Sequence, residues 1–125
     1  MIYGIGTDIV AVARLRSFWE KHGDKALERL LAIQEFDELA KADDKGRFLA
    51  KRFAAKEAFS KALGTGVRPP ATLTAIAVDH DDLGKPELIF HGQLEKMLKT
   101  KNLTAHLSIS DEAEYAVAYV ILEHA

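Results

Sequence analysis

From Arg47 to Leu63 the chain has no proline and no glycine, is dense in Ala, Lys, Arg, Phe and Leu, and meets Gly64 directly afterwards. That stretch predicts one long helix, closed at Gly64 because the residue just past a helix end commonly needs a positive φ. At about 100° per residue, Phe48, Ala55, Phe59 and Ala62 share one side, an apolar stripe to bury. The opposite side carries Glu57 and Lys61 one turn apart, flanked by Ala50 and Ala54. Such a pair is also what a solvated helix face looks like, contributing about 0.3–0.5 kcal/mol. The alanines beside it leave space, and a ligand is expected to fill it.

A second stretch, GIGTDIV at Gly4 to Val10, alternates as a strand does. Gly4, Gly6 and Asp8 share one face, and Tyr3, Ile5, Thr7 and Ile9 the other. Here too a carboxylate stands among residues with almost no side chain. The 125 residues suit a single domain, 1–125, with a core of its own. Hydrophobic content of 48% with 29% charged is ordinary for a soluble globule, and no apolar run reaches the ~20 residues of a membrane helix. The opening residues pass directly into the strand pattern without a basic leader, which predicts a cytoplasmic protein. With no Cys there is no disulfide, thiolate nucleophile or cysteine metal site.

A net charge of −2 argues against a nucleic-acid binder, which is usually basic overall. Charge is nevertheless unevenly spread. Lys45, Arg47, Lys51, Arg52, Lys56 and Lys61 stand against Glu57 alone, whereas Asp111 to Ala125 holds four acids and no Lys or Arg. The long helix therefore reads as a local positive field suited to a small polyanion, although Lys-rich surfaces are common on exposed helices.

In chain order, Ala11 to Lys21 predicts a short helix with Val12, Leu15, Phe18 and Trp19 on one side and Arg14 and Arg16 near its start. The helix dipole disfavours positive charge there, so Arg14 is expected to meet an anionic partner; for Arg16 a solvated arginine is as good a reading. Asp24 is positioned to cap the next helix, and the region through Lys41 supplies packing. Asp43 and Asp44 precede the long helix, where negative charge suits its N-terminus.

Gly64, Thr65 and Gly66 begin a stiff loop ending in Pro69 and Pro70. A helix C-terminus repels phosphate, so these glycines are not a P-loop, but their N–H groups can contact a ligand lying across the helix. Leu73 to Asp79 and Glu87 to Phe90 predict a hairpin. His80, Asp81 and Asp82 diverge on its turn and make a weak metal cluster. Gln93 to Lys101 predicts a helix, and a last hairpin follows, with His106, Ser108 and Ser110 on one face and Leu107 and Ile109 on the other. No nucleophile elbow supports a hydrolase triad there. Tyr115 to Leu122 is apolar enough for a central strand. The expected fold is α+β: one antiparallel sheet from the first strand and both hairpins, with the long helix packed on one face.

Taken together, GIGTDIV, FAAKEAFSKALGTG and HLSISDEAEYAVAYVI, in that order, resemble the holo-acyl-carrier-protein synthases, the small type of phosphopantetheinyl transferase. The resemblance runs from Ile2 to Leu122. It implies a 4′-phosphopantetheinyl transferase-like fold and transfer of phosphopantetheine from coenzyme A to a serine of apo acyl carrier protein, releasing adenosine 3′,5′-bisphosphate, in fatty acid biosynthesis. It also implies a homotrimer with the active site between subunits. Within it, Gly64, Thr65, Gly66 and His106 lie beside coenzyme A and its phosphates, and Arg14 docks the carrier protein's acidic helix.

For that chemistry a diphosphate must approach two carboxylates, and a divalent cation between them removes the repulsion. Asp8 and Glu57 are the expected Mg²⁺ ligands, Mg²⁺ taking one or two carboxylates plus phosphate oxygens and water. Lys61 is expected to bind the coenzyme A phosphates and neutralise the leaving group. Glu57 is expected to take the serine proton, directly or through a metal-bound water; the residues leave both routes open. Two other classes use the same residues differently. A non-catalytic module for an acidic helix needs Arg14, Lys51, Lys56 and Lys61 but neither carboxylate; a metal-dependent nucleotide hydrolase needs the carboxylates and releases phosphate to water.

Overall fold

The alternation at the start of the chain and the unbroken helical run become the two elements on which everything else is laid. In a computed structural model describing residues Met1–Ala125, strand β1 spans Ile2–Ala11 and leads directly into helix α1, Val12–His22. Helix α2 (Asp24–Leu30), a 3-10 turn at Ile33–Glu35 and α3 (Phe36–Lys41) follow. Asp24 is the first residue of α2 and makes no capping bond, because Gly23 occupies the cap position. The long helix α4 spans Lys45–Leu63. Asp44 caps it by accepting from the Arg47 N–H at 3.0 Å, and Gly64 ends it at φ 89°.

Strands β2 (Ile76–His80) and β3 (Pro86–Phe90) form the middle hairpin, α5 spans Gly92–Thr100, and β4 (Leu103–Asp111) and β5 (Tyr115–His124) complete the chain. Leu73–Ala75, expected as strand, is a 3-10 turn. The fold is α+β and antiparallel, as expected, with one difference. The middle hairpin does not join the main sheet but forms a two-stranded sheet of its own, while the other three strands run in the order β1-β5-β4. The apolar β5 is indeed central.

Register fixes the two faces of that sheet, because directly paired antiparallel residues point the same way. Gly6 pairs with Val120 and that residue with Leu107, all three turned toward α4. Ile5, Ile121 and His106 form the neighbouring row and point away. On the inner face the helix comes unusually near. A Cβ built on Gly6 would stand 2.0 Å from the Ala58 carbonyl oxygen, and one on Gly4 2.0 Å from that of Ala62. Only glycine permits this approach. Ala50, Ala54 and Ala58 are wholly buried, so the space beside the alanines is filled by the sheet rather than by a ligand.

Phe59, Ala55 and Ala62 enter the core as the stripe predicts, Phe59 against Phe90 with ring centroids 4.8 Å apart. Burying a side chain of that kind is worth about 1.5–3 kcal/mol. Phe48 is only half-buried and lies under the Arg52 guanidinium.

Candidate active site

On β1, Asp8 follows Gly4 and Gly6 on the inner face, so the approach that seats α4 also brings this carboxylate to the helix. Lys61 reaches back from the last turn of α4. Its Nζ donates to Asp8 Oδ1 at 3.1 Å and to the Thr7 carbonyl oxygen at 2.9 Å. Its ion-pair partner is therefore Asp8 on the facing strand, not Glu57 one turn earlier on its own helix. Thr7 enters through its backbone, for which sequence carries no signal.

Glu57 is half-buried one turn before Lys61. Desolvation and then the negative charge of Asp8 push its carboxyl above the usual carboxylate range, with Lys61 and Arg14 pulling the other way. Two carboxylates, one from the strand and one from the helix, thus feel each other across the joint, with two cations beside them. Arg14, near the start of α1, is exposed and sits over the Phe53 ring at 5.5 Å. It lies on the rim of a groove of about 860 Å³ between α1 and the turn at Leu73, lined also by Phe18, Lys21 and Arg29.

Gly64, Thr65 and Gly66 are exposed and follow Lys61 within a turn. Thr65 Oγ1 donates to the Gly66 carbonyl at 3.0 Å, which holds the loop's bend. His106 is different. It is on the outer face of β4, with Nε2 3.0 Å from Glu123 Oε1, and the sheet separates it from Asp8, Glu57 and Lys61 of the same chain. Ser108 and Ser110 share that outer face.

No three His, Cys, Asp or Glu side chains gather to enclose a metal ion. Mg²⁺ in phosphate chemistry commonly takes only one or two carboxylates from the protein, the rest of its ligands being phosphate oxygens and water, and two carboxylates are what Asp8 and Glu57 offer.

The positive field expected on α4 is largely spent inside the molecule. Lys56 and Arg52 are buried against Glu35, and Arg47 and Lys51 face Asp111 at 2.5 and 3.8 Å. Arg16 is taken by Asp44 at 2.8 Å. A module recruiting an acidic helix through Lys56 is therefore ruled out, since that ammonium has no exposed surface.

This α+β arrangement has known counterparts. The chain belongs to the 4′-phosphopantetheinyl transferase superfamily, whose family model matches residues 4–120. It is 79% identical over 125 residues, the whole of both chains, to the holo-[acyl-carrier-protein] synthase of Dechloromonas aromatica (strain RCB). Among solved structures, the holo-[acyl-carrier-protein] synthase of Neisseria meningitidis superposes with a TM-score of 0.95 at 44% identity, covering 98% of this chain and 99% of that one. The Bacillus anthracis enzyme, in complex with CoA (3′,5′-ADP), has a TM-score of 0.84 at 39% identity, covering 100% and 99%.

Proposed function

We infer that this protein transfers 4′-phosphopantetheine from coenzyme A to a serine of apo acyl carrier protein and releases adenosine 3′,5′-bisphosphate, in the service of fatty acid biosynthesis in the cytoplasm. Full-length identity of 79% to a holo-[acyl-carrier-protein] synthase carries this reading. The serine oxygen bonds to the β-phosphorus, the P–O bond to the bridging oxygen breaks, and the adenosine bisphosphate leaves with that oxygen. Positioning and charge neutralisation dominate such a step. Glu57, its carboxyl held above the usual range, is a suitable acceptor for the serine proton. Lys61 carries a half-exposed ammonium at the mouth of the joint and offsets charge on the leaving phosphate. Asp8 and Glu57 together would hold Mg²⁺, which when bound supplies Lewis-acid neutralisation of the diphosphate. Gly64, Thr65 and Gly66 flank the coenzyme A.

A homotrimer with the active site between subunits fits the outer sheet face. Ile5, Ile9, Tyr115 and Tyr119 are 56%, 64%, 50% and 44% exposed there, more apolar surface than a solvated face normally carries. His106 lies on that same face, and we assign it to the coenzyme A phosphates of a neighbouring copy.

The test is to incubate the protein with coenzyme A, magnesium and an apo carrier, and to weigh the carrier. A gain of one phosphopantetheine is expected; free phosphate with an unmodified carrier would instead identify a hydrolase. Magnesium alone is expected to raise the thermal midpoint, because a ligand that binds only the folded state stabilises it. The rise should vanish in Asp8→Ala, and its persistence there would move the metal elsewhere. Arg14→Glu is expected to raise the KM for carrier at least about tenfold with coenzyme A affinity unchanged, as loss of a charged docking contact does. Equal loss for both substrates would remove Arg14 from docking.

A further inference from the structure

Helix α4 is gripped from two opposite sides. On one, the Ala58 and Ala62 turn lies against Gly4 and Gly6 of β1. Methyl groups on a glycine face set how near the helix comes but little of its rotation, since they interlock with nothing. On the other side Lys56 and Arg52, one turn apart, reach Glu35, which is 1% exposed. Glu35 Oε1 accepts from Lys56 Nζ at 2.5 Å and from the Ala32 N–H at 2.9 Å. Its Oε2 accepts from the Val78 N–H at 3.0 Å and stands 3.0 Å from Arg52 Nε, an ion pair without hydrogen-bond alignment.

Each cation is also tied through a second contact. Lys56 Nζ donates to the Leu30 carbonyl at 2.7 Å, and Arg52 Nη2 to Glu38 Oε2 at 2.7 Å. One buried carboxylate thus binds α4 to the end of α2, the 3-10 turn and β2. Apolar side chains of similar volume commonly hold such a place with equal or greater stability, so stability alone does not account for charges here. What the charges add is direction. Lys56 immediately precedes Glu57, so a rotation of α4 that slackens the grip on Lys56 swings Glu57 and Lys61 with it.

We propose that Glu35 is a positioning residue for the transfer reaction: by holding Lys56 and Arg52 it sets the rotation of α4 that aims Glu57 and Lys61 at Asp8. The proposal rests on the assignment of those three residues to the reacting phosphates. Nothing in Glu35 itself touches substrate, because it is sealed in the core.

Glu35→Gln keeps the shape and an acceptor for the Val78 N–H but removes the charge. In the folded variant kcat is expected to fall about tenfold or more, misplacement of reacting groups being that costly, with the KM for coenzyme A within about twofold of the parent. Added to Glu57→Gln, the same substitution is expected to lower kcat by a smaller factor than in the parent, since the share of its effect that passes through Glu57 is already lost and only the share through Lys61 remains. If Glu35→Gln alone does not fold, the pair Glu35→Gln with Lys56→Met, which removes the Glu35 and Lys56 charges and leaves Arg52 to Glu38, is read in the same two backgrounds. A folded variant with parental kcat and only a lowered thermal midpoint would overturn the proposal, as would equal fractional losses in the two backgrounds. Glu57→Gln at parental turnover would sink the site assignment itself, and the proposal with it.

Discussion

Glu57→Gln is expected to lower turnover by about 10²-fold or more, the usual scale for removing one electrostatic element of a site, and at the same time to raise the thermal midpoint at neutral pH. Both follow from one feature. Desolvation and the Asp8 charge raise the Glu57 carboxyl above its ordinary 4.5. A carboxyl whose folded pKa is raised favours the folded state fully below the unfolded value, and that contribution is lost as pH rises through the folded value. At neutral pH ionised Glu57 therefore opposes folding, and a neutral amide relieves it. In the metal-free protein the same raised pKa puts the Glu57 titration above 4.5, and magnesium binding is expected to weaken as pH falls toward it, because Glu57 must be ionised to hold a cation. Asp8→Ala should reduce turnover comparably and bring the Glu57 titration of the metal-free protein back toward its ordinary value, having removed a charge that helps to raise it. Stopped assays of carrier mass and a thermal scan of purified Glu57→Gln decide the matter. Normal turnover in a folded variant would exclude Glu57 from the chemistry, and a lowered midpoint would show that its charge is no burden.

Gly6→Ala is the second substitution with a large expected effect, and it contains one methyl group. Its Cβ would stand 2.0 Å from the Ala58 carbonyl oxygen and 2.7 Å from the Ala62 nitrogen, both backbone atoms that cannot turn aside. Strand and helix must separate, at a cost of about 3 kcal/mol or more, the upper end for an overpacked core. The separation falls where Lys61 meets Asp8 at 3.1 Å, so turnover per folded molecule should drop as well. Denaturant midpoints and turnover of the folded fraction measure the two effects separately. A variant that keeps both would mean that the near approach of β1 and α4 is dispensable.

Much of this joint was legible before any coordinates. Alternation alone puts Gly4, Gly6 and Asp8 on one face, and a proline-free run ending in glycine marks α4, because both signals are local in the chain. What alternation cannot tell is which surface each face meets. Ala50 and Ala54 read as room for a ligand and are instead wholly buried. Lys56 and Arg52 read as a positive surface because helical periodicity assigns charges to solvent; their burial depends on Glu35, some twenty residues away and carrying no pattern of its own. Separation of the middle hairpin from the main sheet is likewise a matter of edges, which residue alternation does not encode. His106 is readable as an outer-face residue, but its placement relative to Asp8 depends on strand order.

That strand order also governs when the molecule becomes competent. The middle position of the sheet belongs to the strand that comes last in the chain, and Ile2 is matched with Glu123. Helical turns assemble within about a microsecond, whereas pairings between distant parts of a chain come later. A chain that has gained every helix still lacks the keystone, and until it slots in, Asp8 sits on an unanchored ribbon. Helicity alone is thus a poor witness of a working molecule; only the late closing of the two ends completes it.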